Sequence, residues 1–428
     1  MIRTIYRELV VARCGGEDME LAWSDADAAF RDEVRAFLDE KLTPELRRAG
    51  RLATSVYSDH KASMEWQRIL HERGWAAPAW PVEYGGCDWT QTQHYIFGRE
   101  SILAGAPSLS PMGIRMVAHA IVAYGTQEQK DFFLPGILTG DVFFCQGYSE
   151  PESGSDLASL SMSAVDDGYD LVVTGSKIWT THATEANWMF ALVRTSKTGR
   201  KQQGITFLLI DMTSPGIEIR PLVMTSGEEV QNQVFFDGVR VPKKNVLGEI
   251  DQGWTVAKYL LVFERGGAAA APALQVLAER IAVAAAGQPG PDGRPLVDDP
   301  AFAAKLADAR IRTDVLEILE YRTLAELSAG KDPGPASSML KVLGTELSQT
   351  LTQLTLEAAG PRGRVYQPHV TAPGGPVADY EPPADGYVSG EEWQAVAPLR
   401  YFNDRAGSIY AGSNEIQRNI LAKAALGL

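Results

Sequence analysis

The chain has 428 residues, 45% hydrophobic and 22% charged, which fits a large folded core and excludes a disordered, fibrous or small disulfide-stapled protein. Forty Lys and Arg against 54 Asp and Glu leave a net charge of −14, which argues against a nucleic-acid or anionic-membrane partner, because phosphate binding needs clustered positive charge. Three cysteines (Cys14, Cys87 and Cys145) form no CxxC pair, which points to a reducing, cytoplasmic compartment without structural zinc.

The length suggests about two or three domains. Residues 1–19 contain Arg3, Arg7 and Arg13 but no signal-cleavage pattern, and read as an extension. No apolar run approaches the ~20 residues of a spanning helix. Residues 20–141 read as a helical domain. Phe30, Val34, Phe37 and Leu38 recur at helix spacing, and Pro44 follows as a stop. Met64, Ile69 and Leu70 mark a second helix ended by Gly74. GWAAPAWPVEYGG is a Pro/Gly loop, and GTQEQKDFFLPGIL predicts a short helix braked at Pro135.

Over residues 142–250 the texture becomes β-rich: VFFCQGYS, YDLVVTG, KIWTT, NWMFALVRT, GITFLLIDM and QVFFDGVRV, separated by turn signals. Short strands of this kind predict an antiparallel barrel or sandwich. Residues 251–428 return to Ala/Leu-rich helices, interrupted by loops at 287–300 and 361–390. The fold class is therefore α+β, in the order helical, β, helical.

GxGxxG after a strand, GxxxxGK[ST], HExxH and GxSxG are all absent, and the six histidines show no metal-ligand spacing. Nicotinamide, P-loop and zinc chemistry are poor fits, and no metal is expected. Three segments remain. GYSEPESGSDLASL (147–160) follows a β run with exposed amides, small residues and hydroxyls, suited to a flat heteroaromatic ring or a phosphate. A polar turn between strands would read the same way. KIWTTHATEANW places the stacking face of Trp179 beside Thr180 and Thr181; an ordinary strand end with a core Trp would too. YAGSNEIQRNILAKAALGL is an amphipathic helix for which Ser413 and Asn414 are good N-cap types.

Together, in this order, the segments resemble the acyl-CoA dehydrogenase family over about residues 20–428. SEPESGSD is similar to the family's TEPxxGSD, KIWTT to KxWIT, and IYAGSNEIQRNILA to IYEGTxxIQRxxIA. The resemblance implies an N-terminal helical domain, a middle β-domain and a C-terminal four-helix bundle. It implies FAD between β-domain and bundle, an acyl-CoA substrate desaturated to the trans-2-enoyl-CoA, and electrons passed to an electron-transfer flavoprotein. Carried over by position, Gln146, Tyr148, Ser149, Gly154, Trp179, Thr180, Thr181, Ser413 and Glu415 should contact the cofactor, and Ser155 the acyl-CoA.

Two departures matter. The position of the family's YEGT glutamate is Ala411, which cannot take a proton. Glu264 instead falls on a stripe formed by Ala257, Leu260, Leu261, Gly267, Ala268 and Ala271; an unpaired carboxylate there is costly unless it is used or solvated. A family subgroup carries its base at this helix position, which implies Glu264 as catalytic base and Arg265 as a substrate contact. Second, the RxxFGxxL segment is missing and QxxGGxG is reduced to LEAAGPRG. This resembles large subunits of two-gene bacterial enzymes of the pimeloyl-CoA or steroid-degrading type, and implies a smaller homologous partner in a two-plus-two hetero-oligomer, the alternative being a homotetramer or homodimer. Two other readings stay open: a non-catalytic subunit, and an oxygen-using oxidase or monooxygenase on the same fold.

Overall fold

The computed structural model describes residues 13–14, 17–18, 23–54, 59–197, 199–265, 270–329, 334–371 and 381–427, with the side chains of 13–14, 17–18 and 262–265 outside the description. Within the stretch read as an extension, Arg13–Cys14 pairs with Glu17–Asp18 in a two-residue ladder.

Among the described residues six helices come first. α1 (Asp25–Lys41) starts where Ser24 Oγ accepts the Asp27 amide, and it buries Phe30, Val34, Phe37 and Leu38, the expected face. Pro44, expected only as a stop, is also the first residue of α2 (Pro44–Leu52), where its missing N–H costs nothing. α3 (His60–Arg73) ends at Gly74, whose φ of +79° makes the left-handed cap that glycine adopts most readily. α4 (Gln91–Ala104), a π-helical turn at Met112–Val117 and α5 (Ala118–Tyr124) follow. α6 (Gln127–Thr139) is not braked at Pro135 but runs through it. Asp131 and Pro135 both lie on the exposed face, where the carbonyl that loses its helical N–H partner can be solvated.

The middle of the chain forms one seven-stranded sheet. Its strands are β1 (Phe144–Gly147), β2 (Ser163–Asp166), β3 (Asp170–Lys177), β4 (Trp188–Arg194), β5 (Ile205–Asp211), β6 (Ile217–Leu222) and β7 (Gln231–Pro242). The order is β1-β4-β2-β3-β7-β6, with β5 also paired to β4. Pairings are antiparallel except β1 with β4 and the single Ser163–Arg194 pairing of β2 with β4. KIWTT is a strand only as far as Lys177, because the chain turns to positive φ at Trp179. β4 is buried on both faces: Phe190 and Leu192 join a core with Phe144 and Phe207, whereas Met189, Ala191 and Val193 join another with Val173 and Val234. A strand covered on both sides reads as a continuous apolar run, which is why WMFALVR shows no alternation.

Among the described residues six more helices follow: α7 (Gly253–Arg265), α8 (Ala270–Ala286), α9 (Pro300–Ser328), α10 (Ala336–Ala359), α11 (Glu392–Asp404) and α12 (Asn414–Leu426). α8, α9 and α10 share a core that includes Leu274, Ile281, Phe302, Leu316, Leu347 and Leu351. α7 instead belongs to the sheet, its Val256, Ala257 and Leu260 buried with Phe207 and Leu209 of β5. Among the described residues no helix is long and apolar enough to cross a membrane, and no cluster of His, Cys, Asp and Glu could hold a metal.

The first residue of α7 has no room for a side chain: a Cβ on Gly253 would lie 2.2 Å from the Phe207 nitrogen and 2.4 Å from the Thr206 carbonyl carbon. Both are strand backbone and cannot yield. Gly253→Ala is therefore expected to cost about 1–3 kcal/mol of stability, as overpacking does, and to displace α7 from β5; urea unfolding against wild type measures it.

Candidate functional site

The site is built around a buried ion pair. Lys177 ends β3 on its inward register, after Leu171 and Val173, and is fully buried. Its ammonium donates to Glu150 Oε1 (2.8 Å), the Tyr148 carbonyl (3.1 Å) and the Leu192 carbonyl (2.7 Å), so all three donors are used. Glu150, 6% exposed, also accepts from the Ser161 amide (2.6 Å), the Ser161 hydroxyl (2.9 Å) and the Met162 amide (2.9 Å). Burial pushes the Glu150 carboxyl up, but the Lys177 ammonium and the Ser161 and Met162 amides outweigh it and hold it below the usual carboxylate range. Burial lowers Lys177 to about 8, with Glu150 opposing, so the pair stays ionised near neutrality.

This pair fixes two chain segments side by side. The first runs from Gln146 on β1, half-buried, through Tyr148, whose ring meets Phe190 edge-on at 5.7 Å, to Ser149. The Ser149 carbonyl accepts the Ile178 amide at 2.9 Å, joining it directly to the second segment. Beyond Glu150 the chain folds back through paired Glu150 and Ser153 hydrogen bonds, and Gly154 and Ser155 stand exposed on the turn. A Cβ on Gly154 would meet nothing within 4 Å, so the turn opens onto free space.

The second segment leaves the sheet abruptly. Trp179 and His182 both have positive φ (+60° and +57°), costly for residues with a Cβ and held only where surroundings impose it. β7 imposes it here. The Thr180 amide donates to the Asn232 carbonyl (2.9 Å), Asn232 Nδ2 donates back to the Thr180 carbonyl (3.0 Å), and the His182 amide donates to the Val230 carbonyl (2.8 Å). Gln231 Nε2 donates to the Thr181 hydroxyl at 3.0 Å. The indole of Trp179 is thereby turned outward, 58% exposed. The Thr180 hydroxyl is buried without a hydrogen-bond partner among the described residues. An exposed indole face, an unsatisfied hydroxyl and an open glycine turn fit a flat, polar-edged ring such as a flavin.

The C-terminal residues stand on another element. Ser413 caps α12 by accepting the Ile416 amide at 3.4 Å, and Glu415 is exposed in its first turn, its carboxyl lowered by backbone and Ser413 hydrogen bonds. Asn414, buried, binds Lys341 Nζ (2.7 Å) and Thr345 of α10. Ala411 precedes them at φ +53°. Glu264 and Arg265 are the last two residues of α7, and their side chains lie outside the described residues. The structure thus brings Gln146, Tyr148, Ser149, Gly154, Ser155, Trp179, Thr180 and Thr181 onto two adjoined segments, and it carries Ser413 and Glu415 on α12.

Sequence reasoning passed over Lys177, Glu150 and Asn232, the residues that hold the others. A signal existed for the first: a lysine on the apolar register of YDLVVTGSK has to find a partner. Asn232 had none, because its role depends on the β7 register beside a segment that is not a strand.

Family models match almost the whole chain: acyl-CoA dehydrogenase, N-terminal domain, at residues 24–141, the middle domain at 145–239 and the C-terminal domain at 251–426. Two Mycobacterium tuberculosis proteins, acyl-CoA dehydrogenase IpdE1 and acyl-CoA dehydrogenase FadE26, are each 33% identical, covering 93% and 96% of this chain and 97% and 99% of their own lengths. Among solved structures, the Tcur3481-Tcur3483 steroid ACAD is 28% identical with a TM-score of 0.78, and covers 96% of this chain and 99% of that one. The ChsE4-ChsE5 complex from Mycobacterium tuberculosis is 29% identical with a TM-score of 0.77, at the same coverage.

The ion pair generates a stability prediction. Lys177→Met leaves Glu150 buried without its counter-charge and should cost about 3–5 kcal/mol in denaturant unfolding, most of it recovered in the double variant with Glu150→Gln. A carboxyl lowered in the fold gives stability that is present above its ordinary value of 4.5 and lost as pH falls through the folded value. The double variant should therefore lose less stability than wild type below pH 4.5.

Proposed function

Because this chain belongs to the acyl-CoA dehydrogenase family, we propose that it oxidises an acyl-CoA thioester to the trans-2-enoyl-CoA, with Glu264 as the base. The reading rests on one observation above all: the Lys177–Glu150 pair adjoins two segments that expose an indole and an open turn at the sheet's edge. FAD, when bound, supplies the hydride acceptor. The chain's own part is to hold it and to remove a proton. Gln146, Tyr148, Ser149 and Gly154 would line one side of the ring and Trp179, Thr180 and Thr181 another, with Ser413 and Glu415 contributed from α12. Ser155, exposed on the same turn, would touch the acyl-CoA, and Arg265 would help hold it.

The α proton of a thioester is weakly acidic, so its removal needs a carboxylate kept from water, where desolvation raises its basicity. α7 is suited to carry that carboxylate. Val256, Ala257 and Leu260 fix the helix in the apolar core of β5, and Ala411 offers no competing base. Electrons then pass to an electron-transfer flavoprotein, a small-molecule oxidant not being required. The acyl group is taken to be of steroid type, because a 28% identical structure is described as a steroid ACAD.

A partner subunit completes the proposal. Ile311, Val315 and Ile318 form an exposed apolar stripe at helix spacing on α9, 62%, 54% and 41% exposed. Two similar structures are named as pairs of proteins. A smaller homologous chain, two copies with two of this one, would cover the stripe.

Three outcomes are expected. Glu264→Gln should keep FAD and acyl-CoA binding but slow anaerobic flavin reduction by about 10²–10⁴-fold; a wild-type rate refutes the assignment. Across a panel of acyl-CoA esters, steroid-type acyl groups should reduce the flavin fastest, with dye reduction far exceeding peroxide release in air. Val315→Asp should abolish co-purification with the smaller chain and lower flavin content, whereas a fully active homotetramer of this chain alone would refute the hetero-oligomer.

A further inference from the structure

The segment that leads into α12 is held from α10. Lys341, Thr345, Ser348, Gln349 and Thr352 recur at three- and four-residue spacing and share one face of that helix. Ser348 and Thr352 donate to the Asp404 carboxylate at 2.9 and 3.1 Å, and Gln349 Nε2 donates to the Asp404 carbonyl (3.2 Å) and the Ser408 hydroxyl (3.3 Å). From the other side Gln417 of α12, 1% exposed, donates through Nε2 to the Ala411 and Gly412 carbonyls at 3.1 and 3.3 Å. The turn so pinned has positive φ at both residues, +53° and +76°, although alanine has no base to present there.

Asn414 and Gln417 are buried, whereas Ser413 is half-buried and Glu415 exposed, so Asn414 faces α10 and its two neighbours do not. Both halves of the Asn414 amide are taken. Nδ2 donates to the Thr345 hydroxyl at 3.1 Å. That hydroxyl has one proton to give, and it lies closer to the Lys341 carbonyl (2.9 Å) than to Asn414 Oδ1 (3.2 Å). Oδ1 therefore depends on the Lys341 ammonium, 2.7 Å away. This places a cation at the first residue of α12, where the helix dipole opposes one. Glu415 offsets it: burial lowers the Lys341 ammonium while Glu415 acts against the fall. The Glu415 carboxyl, lowered chiefly by a backbone and a Ser413 hydrogen bond, is lowered further by Arg418 and Lys341.

We propose that Lys341 is a positioning residue for the cofactor: by holding Asn414 it sets how Ser413 and Glu415, on either side of it, meet FAD. The proposal rests on the reading of Ser413 and Glu415 as cofactor contacts. Lys177 fixes the sheet side of the site through three acceptors, and Lys341 does the same for the bundle side through Asn414 and Glu415. A methionine in its place would cover the same surface with its chain, but it would leave the buried Oδ1 without its charged donor and would not attract Glu415. The loss would fall on the direction of the first turn of α12 rather than on the packing of the bundle, because Leu347, Leu351 and Leu354 carry that packing on another face of α10.

The test compares the assembled wild type with K341M, with S413A/E415A and with the triple variant, each stripped of flavin and titrated with FAD. Two quantities are read: the FAD dissociation constant, and the rise in thermal midpoint that FAD produces over the flavin-free protein. General destabilisation lowers both midpoints together, whereas a misdirected contact narrows the gap between them. K341M should bind FAD about tenfold more weakly, the scale of a lost hydrogen bond to a charged group, with a narrowed gap. S413A/E415A should weaken binding too, and K341M should then add little to it, because both changes remove the same contacts. Wild-type FAD binding by S413A/E415A overturns the cofactor contacts on α12 and the positioning role with them. Weak binding by S413A/E415A with wild-type binding by K341M overturns the positioning role and leaves the contacts standing. A full additional loss in the triple variant shows that Lys341 acts by another route and also overturns it. If K341M fails to fold, T345V frees the other half of the Asn414 amide, and an unchanged FAD gap in that variant overturns the hold through Asn414.

Discussion

A buried lysine that spends all three of its donors inside the protein governs the rest of the site. Lys177 reaches the Tyr148 carbonyl, the Glu150 carboxylate and the Leu192 carbonyl at once, so it ties the turn after β1 to the end of β3 and to the central strand β4. Removing either charge strands the other in a low-dielectric interior, which is far more costly than the net worth of the pair. The pair is better understood as fixing geometry than as adding stability. The turn after β1 inherits its position from it, and the Ser149 carbonyl passes that on to the Ile178 amide.

Strain is placed where presentation matters. Trp179, His182 and Ala411 all carry positive φ without being glycine, and the first two are pinned by Asn232 of β7 and by Val230 just before it. The Trp179 indole is turned outward by an unfavourable backbone, whereas a core tryptophan such as Trp66, 2% exposed, needs no such device. α7 shows the complementary arrangement. Its N-terminal end is locked against β5 by the absence of a side chain at Gly253, and its C-terminal end carries the proposed base.

Much of this was legible in the sequence because local signals and burial agreed. Ser24, Gly74 and the Phe30–Leu38 face of α1 obey capping and periodicity rules that need no tertiary knowledge. The motifs were legible for a different reason: colinear order of several short segments is specific even where each is ambiguous. What escaped were effects of context. Pro135 sits inside α6 because its face is exposed, β2 and β6 are too short and too polar to announce themselves, and KIWTT looks like a strand until Trp179 breaks it. Glu150 read as a turn residue because its partner lies 27 positions away.

If the α proton leaves to a carboxylate at the end of α7, proton exchange reports that step without any electron transfer. The assembled protein would be incubated in D2O with a 3-thia-acyl-CoA, whose α hydrogens are acidic but which cannot be desaturated, and deuterium uptake at the α carbon followed by NMR. Wild type should take up a single α deuterium, and Glu264→Gln should lose that exchange with the analogue still bound. Exchange at the wild-type rate in Glu264→Gln would contradict it.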